Sequence, residues 1–150
     1  MPLFRKKELF TGDEKEIIVK AVRDAEQRTS GEVRVFVERR CRYVNAIDRA
    51  IEIFENLQMH KTQLRNAVLV YVAIKDRQLA VFGDEGIHQK VGDEYWANEV
   101  VKMINAFNRD NIAEGIAQCV KNIGEALSTH FPFDKDTDKN ELPDDIVFGR

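Results

Sequence analysis

Two carboxylates stand between two glycines in the run Gly83-Asp84-Glu85-Gly86, and this run is the strongest candidate for chemistry in the chain. Glycine allows a tight backbone turn, and adjacent carboxylates repel each other unless a cation or hydrogen-bond donors hold them. Carboxylate oxygens are the hard ligands that calcium and magnesium prefer. The run therefore indicates a place where a cation could bind, and it does not by itself specify a reaction.

The strands around this run decide which other polar residues can join it. Residues 66–74 are almost wholly apolar and rich in β-branched side chains, which is typical of a strand buried on both faces. A short polar turn at 75–77 leads into a second strand, 78–82, which must return antiparallel. Residues 32–39 alternate apolar and polar side chains, and a helix predicted over 44–59 joins them to the 66–74 strand as a right-handed βαβ unit.

This topology predicts a metal site at one end of the sheet. The two parallel strands begin at Glu32 and Asn66, and the antiparallel strand returns Asp84 and Glu85 to that same end. Three carboxylates and an amide oxygen favour a divalent cation, with calcium as the first expectation and magnesium as the alternative. The competing interpretation is an acidic loop that is simply solvated at a sheet edge.

A second polar group is expected at the opposite end of the sheet, where Asp76 and Arg77 occupy the turn. In hairpin turns an aspartate commonly bonds its own backbone and an arginine pairs nearby. In the functional interpretation Arg77, or Arg34 on the first strand, holds an anionic group, because a guanidinium matches phosphate geometry. No catalytic residue is identified, and Asp76, Arg77 and Arg34 are the candidates.

Standard nucleophilic catalysis has no support in the motifs, since no G-x-S-x-G run, P-loop or recognisable Cys-His pair is present in the sequence. The run Arg39-Arg40-Cys41-Arg42 is similar to the arginine-assisted thiol of cysteine phosphatases. It lacks their glycine-bearing anion loop.

Composition argues against several classes of protein. The net charge of −3 comes from interleaved signs, so there is no bias toward nucleic acid or an anionic membrane. No run approaches the roughly 20 apolar residues of a membrane helix, and the basic start is not followed by the apolar run of a secretory signal. The two cysteines have no metal-ligand spacing and are expected to be reduced thiols. These observations predict a cytoplasmic protein.

Helices are predicted before and after the strands. Thr11 and Glu14 form a capping-box pattern that opens the first helix, and Asp93 is the expected N-cap of a helix after the hairpin, followed by one more. From Phe133 the chain turns polar and acidic, which predicts an extended tail. Its end, 142–148, is too apolar to remain fully in solvent, so it is expected to dock on the domain's own surface or on a protein partner.

Five short segments together resemble the TPM domain, the family of the thylakoid-lumen acid-phosphatase-like proteins and their bacterial relatives. They are Phe10-Thr11-Gly12-Asp13-Glu14, Ser30-Gly31-Glu32-Val33-Arg34-Val35, Arg65-Asn66-Ala67-Val68-Leu69-Val70, Asp76-Arg77-Gln78-Leu79-Ala80-Val81 and Gly83-Asp84-Glu85-Gly86-Ile87. The resemblance implies a three-layer α/β/α sandwich around a small mixed sheet, in agreement with a βαβ unit, a β-hairpin and C-terminal helices. It divides the chain into a flexible N-terminus (1–9), a TPM-like α/β domain (10–132) and an acidic extended tail (133–150).

The resemblance also implies divalent-metal binding, often of calcium, at acidic residues on the sheet rim, and phosphatase activity in some members. Three hypotheses follow. The first is a cytosolic, bacterial-type metal-binding module without strong catalysis, with the cation held by Glu32, Asn66, Asp84 and Glu85. The second is a metal-dependent phosphatase that acts on phosphomonoesters. The third is an assembly or interaction factor that uses the C-terminal tail.

Overall fold

The computed structural model describes residues 9–133 and 146–148, in which a four-stranded mixed sheet lies between two layers of helices. In chain order the elements are α1 (Gly12–Glu26), β1 (Glu32–Glu38), α2 (Ala46–Asn56), β2 (Ala67–Ala73), β3 (Gln78–Gly83), α3 (Glu85–Val91), α4 (Asp93–Asn108), α5 (Ile112–His130) and β4 (Val147–Phe148). The first eight residues and 134–145, which hold most of the predicted flexible start and acidic tail, lie outside the described residues.

The sheet has the strand order β3-β2-β1-β4. β1 pairs in parallel with β2 and with β4, while β3 returns antiparallel beside β2. The βαβ unit and the β-hairpin that the sequence predicts are therefore confirmed. Both parallel strands begin at the end of the sheet where β3 finishes.

Each face of the sheet has its own core. Valines of β1 and β2, such as Val35 and Val70, pack with apolar side chains of α1, α4 and α5. The opposite face, with Leu69 and Tyr71, packs with Ala50 and Phe54 of α2. This arrangement confirms the three-layer α/β/α sandwich.

One detail of the predicted pattern is incomplete and another is wrong. The second face of β1 is mostly polar, as predicted, but the sequence did not show that Glu32 and Glu38 on it are buried, because α2 and its flanking loops cover that side of the sheet. Asp93 is not an N-cap but the first residue of α4. Gly92 caps this helix instead, with a φ of 80° that glycine adopts without strain. The capping box of Thr11 and Glu14 is present as predicted.

Residues 146–148 dock on the domain's own surface, one of the two destinations predicted for the segment 142–148, whose first four residues lie outside the described part of the chain. Val147 and Phe148 pair with Phe36 and Val37 of β1, and Ile146 is buried in the core on the α1 side. The ammonium of Lys15 lies 5.4 Å from the centroid of the Phe148 ring. Within the described part of the chain, no helix has both the length and the apolar character needed to cross a membrane.

Candidate functional site

Two buried carboxylates share one cross-strand row at the end of the sheet where β1 and β2 begin. Glu32 lies opposite Ala67, and the backbone N–H of Asp84 donates to the Ala67 carbonyl at 2.9 Å. Alternation along the strands puts these side chains on the α2 face, where Ala67 packs. Glu32 is 2% exposed and Asp84 is 4% exposed, and only the Ala67 methyl group stands between them in the row.

A guanidinium holds the Asp84 carboxylate in a bidentate pair. Arg65 Nε donates to Asp84 Oδ2 at 2.7 Å and Arg65 Nη2 to Oδ1 at 2.8 Å, while Nη1 reaches Glu85 Oε1 at 3.2 Å. Asp84 Oδ1 also accepts from the Glu85 N–H at 2.8 Å and so caps α3. The bond with Asp84 raises the pKa of Arg65 above its usual value. We call Glu32, Arg65, Asp84 and Glu85 the acidic rim.

Sequence reasoning missed Arg65, although one signal for it exists. Arg65 directly precedes the strand entrance at Asn66, so the returning hairpin must pass beside it. The Gly86 N–H donates to the Arg65 carbonyl at 2.8 Å, which fixes this neighbourhood. A basic residue at that position is therefore within reach of carboxylates that follow β3.

Asn66 lies at the same end of the sheet but on the other face. The Asn66 carbonyl accepts from the Glu32 N–H at 3.3 Å and continues the β1–β2 ladder, so alternation turns the Asn66 side chain away from the α2 face. The residue is 1% exposed, and among the described residues neither Oδ1 nor Nδ2 has a hydrogen-bond partner. A buried amide in that state is unusual in native proteins.

The acidic rim has the right donors for a hard cation but is closed in its present arrangement. Within residues 9–133 and 146–148, the side chains as placed do not bring together three or more His, Cys, Asp or Glu that could hold a metal ion. The rim carries three carboxylates against Arg65, and negative charge remains in excess even when Arg34, on the same face of β1, is counted. Assignment of Glu32, Asn66, Asp84 and Glu85 as metal ligands stays a prediction.

The opposite end of the sheet opens into a cleft of about 770 Å³. It lies where β1 ends, between the loop that follows this strand and α2. Four of its eight lining residues are arginines; the set is Phe36, Glu38, Arg39, Arg40, Arg42, Tyr43, Arg49 and Glu52. We call this feature the arginine cleft.

A hydrogen-bond network around the buried Glu38 carboxylate forms one wall of the arginine cleft. Arg49 Nε donates to Glu38 Oε2 at 2.9 Å and Arg49 Nη2 to Oε1 at 3.0 Å, and the Tyr71 hydroxyl also donates to Oε2. Arg49 and the Tyr43 hydroxyl both bond Glu52. Burial, and then the bond with Glu38, raises the pKa of Tyr71. Glu38 is therefore fully engaged, and Arg49 is fixed between two carboxylates.

The three candidate catalytic residues lie in three different surroundings. The Asp76 carboxylate accepts from the Cys41 N–H at 2.8 Å and from Arg40 Nη1 at 3.3 Å. Arg77 instead donates to the Phe107 carbonyl at the end of α4, at 3.2 Å. Arg34 lies on β1 on the rim side of Phe36. No shared site of these three forms in this arrangement.

Comparison with known proteins identifies the family. The model of the TPM domain matches residues 3–126. A comparison with curated protein sequences finds no match. Among solved structures, the NMR structure of the BA42 protein from the psychrophilic bacterium Bizionia argentinensis aligns with a TM-score of 0.86 and 39% sequence identity, over 97% of this chain and 99% of that one. Because the family model matches most of the chain, the protein belongs to the TPM domain family.

Proposed function

We propose that the protein is a binding module that takes a divalent cation, calcium or else magnesium, at the acidic rim, and that it acts by binding rather than by catalysis. The observation that carries the proposal is the pair of buried carboxylates, Glu32 and Asp84, in one row with an alanine between them. Family membership agrees with it, because the resemblance described above implies metal binding at the sheet rim.

Charge balance favours a cation at this position. Burial of a carboxylate is costly unless it is paired and hydrogen-bonded. The guanidinium of Arg65 is shared between Asp84 and Glu85, so one positive charge faces two carboxylates at the start of α3. Glu32, Asp84 and Glu85 would supply carboxylate oxygens to the cation. The amide oxygen of Asn66, which has no partner among the described residues, would join them if the side chain turned toward the row.

Arg65 and the cation would compete for the same oxygens. Arg65 binds both oxygens of Asp84, yet its side chain is 42% exposed, so its guanidinium could move fully into solvent and be hydrated there. In the cation-free protein Arg65 therefore acts as the counter-ion of the rim.

Thermal melting with added calcium tests the proposal. A cation that binds only the folded state at about 100 times its dissociation constant adds about 2.7 kcal/mol to the free energy of unfolding. Asp84→Asn should abolish the rise in Tm, because asparagine keeps the helix cap but loses the charge. The matched control is Asp24→Asn, an exposed acid on α1, which should keep the rise. An unchanged Tm at millimolar calcium and magnesium would contradict the proposal.

Arg65→Met tests the competition itself. Loss of the guanidinium removes the competitor, so the calcium Kd should fall relative to that of the wild type. Arg28→Met, at an exposed arginine after α1, should leave the Kd unchanged. A higher Kd in Arg65→Met would show that Arg65 supports the cation rather than competing with it.

The other two hypotheses receive less support. A phosphatase acting on phosphomonoesters would need Asp76, Arg77 or Arg34 beside the cation. Asp76 and Arg77 lie at the opposite end of the sheet, which leaves Arg34, on the same face of β1 as Glu32, as the candidate near the rim. A metal-supplemented aryl phosphate assay decides this point, since activity that survives Asp84→Ala would exclude the rim as its site. A partner that uses the C-terminal segment would have to displace Val147 and Phe148 from β1.

A further inference from the structure

We propose that the outer edge of β1 is a docking site for an extended peptide segment of a partner protein, and that β4 is a tethered placeholder for that segment. The partner segment carries an aliphatic and an aromatic side chain at alternate positions. The site lies along the edge of the sheet where β4 pairs, so this proposal does not depend on cation binding at the acidic rim. Three features support it: the side chains that the edge accepts, the short length of β4 and the length of its tether.

The end of the chain itself shows which side chains the edge accepts. Ile146 enters the core on the α1 side and is 9% exposed. Val147 packs against the core on the α2 side, and alternation returns Phe148 to the α1 side. There the ammonium of Lys15 lies 5.4 Å from the centroid of the Phe148 ring, a position that favours an aromatic group. The edge therefore accepts an aliphatic side chain and, two residues later, an aromatic one.

β4 covers only part of this edge. Among the described residues, pairing on this side of β1 is limited to Phe36 and Val37, opposite the two residues of β4. β1 itself runs over seven residues, Glu32–Glu38. The Phe148 side chain at the end of β4 remains 41% exposed. A partner strand that pairs along all of β1 would make more main-chain hydrogen bonds than β4 makes, and such bonds supply the affinity in strand addition.

The chain before β4 is long enough to release it while the rest of the domain stays in place. Pro132 forms a bridge with Thr29, which comes shortly before β1. Thr29 and Phe36, the first residue of β1 that β4 pairs with, are at most about 25 Å apart along the chain. Residues 134–145 can span about 40 Å when extended. The tether therefore has slack, and β4 can leave β1 without breaking the bridge at Pro132.

The tether also sets the affinity that a partner needs. A segment on a flexible tether acts at an effective concentration in the millimolar range, so it excludes peptides that bind weakly. An uncovered strand edge pairs readily with other chains, and native proteins protect such edges. β4 thus protects the edge of β1 until a partner strand with a higher affinity displaces it.

A variant that releases β4 tests the proposal on the full chain, with EDTA present so that no cation at the acidic rim takes part. Ile146→Asp places a charge in an apolar core, so this segment should leave the β1 edge. In calorimetric titrations a synthetic peptide of residues 142–150 should bind this variant one to one, and at least about tenfold more tightly than it binds the wild type. The same peptide with the Ile146→Asp change should not bind. The matched control is Phe133→Asp, at an exposed apolar residue before the tether, and it should bind the peptide no better than the wild type.

Amide NMR shifts recorded in the same titrations locate the peptide. In Ile146→Asp the shifts of residues 33–37 should return toward their wild-type positions as the peptide binds. In the wild type, millimolar peptide should shift residues 146–148, because it then competes with the tethered segment. If Ile146→Asp fails to fold, Phe148→Asp replaces it, since that side chain is partly exposed. No binding to the released variant, equal binding of the altered peptide, or shifts centred away from β1 would each overturn the proposal.

Discussion

The two ends of the sheet contain the same kind of ion pair in opposite surroundings. At the acidic rim Arg65 binds Asp84 bidentately, and at the arginine cleft Arg49 binds Glu38 in the same way. Both carboxylates are buried. The arginines differ, because the Arg65 side chain is 42% exposed and that of Arg49 is 23% exposed.

The partners of the two carboxylates explain what this difference means. Asp84 accepts its third hydrogen bond from a backbone N–H at the start of α3, so it keeps a donor when Arg65 leaves. Glu38 accepts its third bond from the buried hydroxyl of Tyr71, inside the core under α2. Under the proposed function, the rim pair is therefore the one that a cation would displace, whereas the cleft pair is a fixed part of the wall of the arginine cleft.

The largest expected effect is the loss of stability in Arg49→Met. Removal of one partner from a buried pair leaves an uncompensated charge, so the free energy of unfolding should fall by about 3 kcal/mol in urea titrations. Arg65→Met should cost clearly less, because its guanidinium is more exposed and Asp84 keeps its backbone donor. Equal losses in the two variants would remove the distinction between the two ends of the sheet.

A backbone substitution at the rim comes next. A Cβ atom at Gly86 would lie 2.1 Å from the Leu64 carbonyl oxygen and 2.6 Å from that of Arg65, so Gly86→Ala must push the segment before β2 away. We expect a loss of about 1–3 kcal/mol, as for other overpacked sites. Gly12→Ala is the control, because a Cβ there meets no described atom within 4 Å and alanine favours the helix. If Gly86→Ala were as stable as the wild type, the close contact between Gly86 and the Leu64 and Arg65 carbonyls would be contradicted.

The order and direction of β1, β2 and β3 could be predicted from the sequence, because they follow from short-range patterns, whereas the pairing of β4 with β1 was not predicted. The apolar run of β2, the polar break at 75–77 and the antiparallel return of β3 already bring Asp84 to the entrance of β1. Side-chain pairing could not be predicted in this way. Arg65 meets Asp84 across 19 positions, and Arg49 meets Glu38 across 11, and both pairs depend on the face that each residue occupies.

Burial of the polar face of β1 was also beyond the sequence pattern. Alternation identifies the two faces of a strand, but it does not show that a helix will cover the polar one. The burial of Glu38 on β1 depends on contacts with two other elements, since α2 supplies Arg49 and β2 supplies Tyr71 as hydrogen-bond donors. For the same reason, the sequence showed only the run of basic residues around Cys41 and did not show the cleft that they line.

A smaller effect is expected at alkaline pH. Tyr71 and Tyr95 have raised pKa values, chiefly because burial disfavours the phenolate, and burial likewise raises the pKa of the Cys119 thiol. In the unfolded chain the pKa is about 8.5 for cysteine and 10 for tyrosine. Below these pH values the three groups contribute their full stability to the fold. This contribution is lost as the pH rises toward the higher pKa values of the folded protein.

The free energy of unfolding should therefore decline above about pH 8.5, and phenolate absorbance at 295 nm should develop together with unfolding. Tyr71→Phe should decline less steeply than the wild type, since it removes one of these groups. If Tyr71 and Tyr95 ionised near pH 10 in a protein that stayed folded, the assigned burial would be wrong.

The smallest effect is expected at an exposed ion pair on the surface of α1. Lys20 and Asp24 lie 3.1 Å apart on α1, and both side chains are largely exposed. Asp24→Asn should change the free energy of unfolding by no more than about 0.5 kcal/mol, which is why it serves as the control for the calcium experiment. A larger change, or a dependence of that change on calcium, would reveal a role for this pair.

Calcium titration of the isotope-labelled protein, followed by amide NMR shifts, tests the central claim most directly. If the acidic rim binds a cation and the arginine cleft does not, saturable shifts should appear at residues 83–86 and at 32–33, with 39–43 unaffected. Shifts confined to the cleft, or no saturable shift at millimolar calcium, would contradict the account.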